Sequence, residues 1–126
     1  MKTIINTEKA PAAVGPYVQA VKANGMLFLS GQLGFNMDGD GSIPETVEEQ
    51  TAHSLKNLET IMLAAGTDKS RVLKTTIFLT DMNDFGKVNE VYAAFFGENK
   101  PARSCVAVRE LPKGAKVEIE CMVLAE

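Results

Sequence analysis

An α+β domain with a mixed sheet and two helices packed on one of its faces is the fold this 126-residue sequence predicts. Three observations lead there. Apolar and polar residues alternate with period two in the last quarter of the chain, and strand-like runs stand around Asn24-Gly25 and, rich in β-branched residues, at Arg71–Thr80. Two further stretches repeat their apolar residues at helical spacing and carry start and stop signals. The order, two or three strands followed by helix, strand, helix and two strands, suits a layered sandwich.

Lys2–Asn6 predicts a short first strand, and Ala10–Pro16 a loop fixed by Pro11, Gly15 and Pro16. Tyr17–Ala23 and Met26–Leu33 predict two strands joined at Asn24-Gly25. Asn-Gly is the strongest short hairpin signal, because both turn positions take positive φ. The polar loop Asn36–Pro44 is acidic like a calcium loop, but it lacks the EF-hand spacing and flanking helices and reads as a solvated turn. Thr46 opens the first helix, and Glu49 completes a capping box. Val47, Thr51, Leu55, Leu58, Met62 and Ala65 form its apolar stripe, and Gly66 stands at C′.

Arg71–Thr80 is a β-branched strand. Asp81 or Asn83 caps a second helix over Asp84–Phe96, with Phe85, Val88, Tyr92 and Phe95 along one side and Gly97 ending it. Two strands close the chain around the break Leu111-Pro112-Lys113-Gly114. In the first, Ser104, Val106 and Val108 share one face and Arg103, Cys105 and Ala107 the other. In the second, Val117, Ile119, Cys121 and Val123 alternate with Glu118, Glu120 and Met122. With both helices on one side, the uncovered sheet face has to be polar or buried by something else.

Composition narrows the function. Hydrophobic residues make up 45% and charged residues 23%, enough for one core over residues 1–126. A net charge of −3 argues against a nucleic-acid surface, which needs a basic patch. No apolar run reaches a membrane span, and the start MKTIINTEKAPAA lacks the apolar core of a secretory signal. Cys105 and Cys121 fall inside strands and read as free thiols in a reducing cytoplasm. One histidine and two cysteines give no metal-ligand spacing, and no Walker or dinucleotide glycine pattern occurs, so neither a metal nor a cofactor is expected.

The chemistry on offer lies in the last quarter of the chain. A strand-borne guanidinium matches a carboxylate bidentately, and a carboxylate nearby can hold a water and pass protons. From the pattern alone, Arg103 and a glutamate read first as an ion pair on a solvated sheet face. His53, on or near the polar side of the first helix, supplies no base for a nucleophilic serine or cysteine.

The runs Pro101-Ala102-Arg103-Ser104-Cys105-Val106, Leu111-Pro112-Lys113 and Val117-Glu118-Ile119-Glu120 resemble the signature of the RidA/YjgF family of imine and enamine deaminases. So do Ala10–Tyr17, Ser30-Gly31-Gln32, Leu73–Thr76 and the segment from Asn83 to Phe96. The resemblance runs nearly end to end and implies a chorismate-mutase-like homotrimer whose sheets face inwards, with ligand clefts between subunits.

It also implies site residues. Arg103 would clamp a substrate carboxylate, and Glu118 would hold the attacking water, while Glu120 on the same face is left to solvent or a neighbouring subunit. Tyr17, Ser30, Gly31, Asn89 and Cys105 would line the pocket. From the residues alone, Tyr17, Ser30, Gly31 and Asn89 read as ordinary structure: a strand-start aromatic, a strand terminus with a bulge, and a polar helix face. Gly97–Lys100 is shorter than in many members and borders the expected pocket. The reaction implied is hydrolysis of 2-iminopropanoate or 2-iminobutanoate to the 2-keto acid and ammonia. Two alternatives stay open: a trimer that binds or senses 2-keto acids without catalysis, and an RNA-directed translation inhibitor.

Overall fold

The computed structural model describes residues 1–126. Its strands are β1 (Thr3–Ile5), β2 (Ala20–Ala23), β3 (Met26–Gln32), β4 (Val72–Leu79), β5 (Ala102–Ala107) and β6 (Val117–Leu124). Its helices are α1 (Val47–Ala64) and α2 (Phe85–Phe96). The strands form one six-stranded sheet in the order β1-β2-β3-β6-β4-β5. All neighbours are antiparallel except β4 and β5, whose parallel pairing needs the crossover that α2 supplies.

Local signals set most boundaries. Asn24 (φ 52°) and Gly25 (φ 73°) form the turn between β2 and β3. The Thr46 hydroxyl accepts from the Glu49 amide at 3.2 Å and donates to the Glu49 carboxylate at 2.9 Å, a cap that contributes about 1 kcal/mol. Asp81 caps a short 3₁₀ turn at Met82–Asp84, which feeds α2.

The core lies between the helices and one sheet face. Leu27, Leu29, Ile77, Leu79, Val117, Ile119 and Val123 meet Leu55, Leu58, Ile61, Met62 and Val88 there. Alternation along each strand leaves Phe28, Ser30, Thr76, Phe78, Val106, Glu118, Glu120 and Met122 on the opposite, uncovered face. Phe28, Val106 and Met122 are exposed on it.

Four expectations change. Tyr17 is not in a strand: Gly15 at φ 139° and Pro16 bend the chain, and the Tyr17 amide donates to the Gly15 carbonyl at 2.9 Å. β2 therefore begins only at Ala20. On α2 it is Phe96, not Phe95, that buries fully, because it follows Tyr92 by one turn and packs on it with ring centroids 4.7 Å apart. The stripe of α1 is wider than predicted and includes Ile61 with three buried polar residues, Gln50, Ser54 and Asn57. Those three serve the chain between β3 and α1. Ser54 donates to the Gln32 carbonyl, Asn57 to the Leu33 and Phe35 carbonyls, and Gln50 to the Pro44 carbonyl. Gly34 allows that approach, since a Cβ there would stand 2.3 Å from the Gln50 carbonyl oxygen.

The fourth concerns the charged faces of β5 and β6. Thr75 is the register partner of Arg103, and Ile77 that of both Cys105 and Ile119. Directly paired residues share a face. Arg103 and Cys105 therefore lie on the helix side, while Glu118 and Glu120 lie on the uncovered side. The ion pair between Arg103 and a glutamate does not form.

Candidate active site

β5 is an edge strand, and α2 packs beside it, so Arg103 leaves the sheet directly against that helix. Its Nη1 donates to Asn89 Oδ1 at 2.6 Å. The guanidinium carbon lies 5.3 Å from the Phe85 ring centroid and 5.1 Å from that of Tyr92, within cation–π range. Asn89 is thus on the face of α2 that meets β5, which explains an asparagine in mid-helix. Arg103 remains exposed and opens into a cleft of about 440 Å³, whose wall includes Asn89, Tyr92, Lys100 and Pro101. The Lys100 ammonium donates to the Gly97 carbonyl, so the Gly97–Lys100 segment does border this cleft.

Glu118 occupies a second cleft, also of about 440 Å³, with Tyr17, Gly31, Gln32, Phe35 and Lys113 among its lining residues. Burial, and then the nearby Glu120, push its carboxyl above the usual range. Its side chain lies where a residue at Gly31 would put its own: a Cβ there would stand 2.9 Å from Glu118 Oε2. The β3–β6 register shifts between Leu29 and Gln32, so the expected irregularity at Gly31 is present and makes room for the carboxylate.

The remaining expected residues divide. Tyr17 is half exposed at the Glu118 cleft. Ser30 turns away from that cleft: its hydroxyl donates to the Val18 carbonyl at 2.6 Å and its amide to the Gln19 carbonyl at 2.9 Å. Ser30 thereby holds the Tyr17 loop on β3. Cys105 is half-buried on the helix side, and burial raises its thiol despite the opposing effect of Arg103. Cys121 is buried, and burial first, then Glu120, pushes it up to about 12. Neither thiol is primed as a thiolate. No three His, Cys, Asp or Glu side chains group so as to hold a metal ion.

Two residues at this site were missed. Gln19 is fully buried, accepts from the Thr7 amide at 2.7 Å and donates to the Thr7 and Pro11 carbonyls at 3.0 and 2.8 Å. It shapes the loop that carries Tyr17, and no local pattern marks it. Lys113, at φ 61°, lines the Glu118 cleft. The Pro112-Lys113-Gly114 turn was legible, but not what it faces.

Within one chain the two clefts do not merge. Arg103 and Glu118 stand on strands two places apart, about 10 Å across the sheet, and on opposite faces. A guanidinium on the edge strand and a partly buried acid on an interior strand thus face opposite sides of one small α+β domain.

The chain belongs to the endoribonuclease L-PSP family, the RidA/YjgF family of the sequence resemblance, whose profile it matches over residues 7–125. It is 52% identical over 121 residues to the chloroplastic Reactive Intermediate Deaminase A of Arabidopsis thaliana, covering 96% of this chain and 65% of that protein. It is 45% identical over 124 residues to the 2-iminobutanoate/2-iminopropanoate deaminase of Mus musculus, covering 98% and 92%. Among solved structures, Escherichia coli TdcF with bound serine superposes with a TM-score of 0.92 at 45% identity, covering 98% of this chain and 99% of that one.

Proposed function

We propose that the protein hydrolyses short 2-imino acids, such as 2-iminopropanoate and 2-iminobutanoate, to 2-keto acids and ammonia. The observation that carries this is the Arg103 guanidinium, held at one nitrogen by Asn89 and open to a cleft with its other donors. Two parallel N–H bonds from such a fork fit a 2-imino acid carboxylate. The names of the mouse and Arabidopsis relatives support the same chemistry.

Glu118 accepts a proton from the water as its oxygen bonds to the imine carbon. Glu118 returns that proton to the nitrogen to give the carbinolamine, then takes the hydroxyl proton and passes it to the amine, so that the C–N bond breaks, ammonia leaves and the carbonyl forms. A carboxylate with a raised proton affinity is the stronger base for that step. Such imines already hydrolyse in water, so positioning and a proton relay suffice. Tyr17, Gly31, Asn89 and Cys105 line the site, and Ser30 supports it from behind. No cofactor is required.

Because Arg103 and Glu118 face opposite ways, the working site combines Arg103 of one copy with Glu118 of another. A chorismate-mutase-like homotrimer with its uncovered sheet faces inwards supplies this, and the exposed Phe28, Val106 and Met122 favour such burial. No helix of the chain is long and apolar enough to cross a membrane, and the two free thiols suit a reducing cytoplasm.

The test adds purified protein to a threonine or serine dehydratase reaction and follows early keto-acid appearance, with light scattering on the same sample. Acceleration by a three-subunit species is expected. A stable, inactive monomer at micromolar concentration overturns the reading. A trimer that binds keto acid without accelerating hydrolysis makes it a sensor instead.

A further inference from the structure

We propose that Phe85 and Tyr92 are positioning residues for Arg103, and that the buried Thr75–Tyr92 hydrogen bond sets the plane in which the guanidinium is presented. This rests on the carboxylate-binding part of the reading above and not on the hydrolytic chemistry.

Thr75 is fully buried and is the register partner of Arg103 across the parallel β4–β5 pair. Its Oγ1 shares a hydrogen bond of 2.6 Å with the Tyr92 hydroxyl. Burial raises the Tyr92 phenol further above its ordinary value, so it stays neutral and its ring stays an uncharged platform. The Phe96 ring, tilted at 53°, packs against Tyr92 and restricts its swing. Tyr92 is thereby fixed both by a polar bond at its tip and by packing along its body.

The guanidinium rests on this fixed ring and on Phe85, seven residues earlier on the same helix face. An arginine on an exposed edge strand would otherwise sample many rotamers and lose that freedom when a ligand binds. Here the rings restrict the plane and Asn89 ties Nη1, which leaves the Nε and Nη2 edge free. That edge is one that a carboxylate can engage through two parallel bonds. Polar contact from Asn89 alone would fix one nitrogen and leave the plane free to rotate. The rings complete the constraint without adding a competing charge.

The test titrates 2-ketobutyrate calorimetrically into wild type, Phe85→Leu, Phe85→Tyr and Tyr92→Leu. The Arg103 Nε–Hε resonance is followed in each, assigned by its loss in Arg103→Ala, alongside melting curves and imine turnover. Kd should rise about five- to tenfold in Phe85→Leu and Tyr92→Leu, the loss expected for a partly desolvated cation–π contact. The Arg103 resonance should shift or broaden in both. Phe85→Tyr should stay within about twofold of wild type, because it keeps a ring. Phe85 is only half-buried, so Phe85→Leu reports even if Tyr92→Leu folds poorly. A Phe85→Leu protein that melts lower but binds as wild type does, with an unchanged resonance, overturns the proposal and leaves the deaminase reading intact. Wild type that binds 2-ketobutyrate but hydrolyses no imine overturns that reading and leaves this one. Wild type that binds no keto acid overturns both.

Discussion

The carboxylate of Glu118 fills the space that a side chain at Gly31 would take, since a Cβ built there stands 2.9 Å from its Oε2. One residue's missing side chain is the other's seat. Gly31→Ala should therefore displace the carboxylate. Turnover of 2-iminobutanoate should drop by at least about tenfold, within the range lost when a proton-transfer group is misplaced. Keto-acid binding through Arg103 should persist. A fully active Gly31→Ala protein would show that Glu118 has another place to go.

Glu118 binds its proton more tightly in the folded chain than in the unfolded one, through burial first and Glu120 second. Its contribution to stability is fully present below the unfolded carboxyl pKa and is lost as pH rises through the raised folded value. Glu118→Gln removes the costly charged form. It should melt above wild type at neutral pH, and the gap should close as pH falls to about 4. Turnover should fall by about a hundredfold, with 2-ketobutyrate binding little changed. A Glu118→Gln protein that melts lower at neutral pH contradicts the sign argued here.

Arg103→Ala should lower 2-ketobutyrate affinity by about a hundredfold, the loss of two hydrogen bonds to a charged group. Arg103→Lys should recover little of it, because an ammonium cannot offer a carboxylate two parallel N–H bonds from one planar group. Calorimetry with both variants decides this. Comparable affinity in Arg103→Lys would mean that charge alone holds the ligand.

The thiols should be bystanders. Cys121, pushed up to about 12, should resist iodoacetamide at pH 8 in the native protein, and Cys105 should react slowly. Cys105→Ser should keep most of the imine hydrolysis. Mass spectrometry of labelled peptides together with the turnover assay checks both statements, and complete loss of activity in a well-folded Cys105→Ser protein would restore a covalent mechanism.

Sequence periodicity was informative where structure is local. The Thr46–Glu49 box, the Asn24-Gly25 turn and the alternation of β6 each depend on neighbours a few residues away, and each stands as read. What stayed hidden depends on distant pairing. Alternation assigns Arg103 and Glu118 to one face of its own strand, but only the register through β4 reveals that those faces are opposed. Gln19, Gln50, Ser54 and Asn57 look like surface residues because their partners are main-chain carbonyls 6 to 22 positions away. Tyr17 looked like a strand residue because the bend at Gly15-Pro16 and the Ser30 anchor were not visible in its own neighbourhood.

The opposed faces of Arg103 and Glu118 have a genetic consequence. If each working cleft draws one residue from each of two copies, a chain carrying Arg103→Ala and a chain carrying Glu118→Gln are inactive alone yet complementary when mixed. In the proposed trimer, random reassembly would leave about a quarter of the clefts with both residues intact. Two dead alleles expressed in one cell would then restore part of the activity, whereas a single chain bearing both substitutions would restore none.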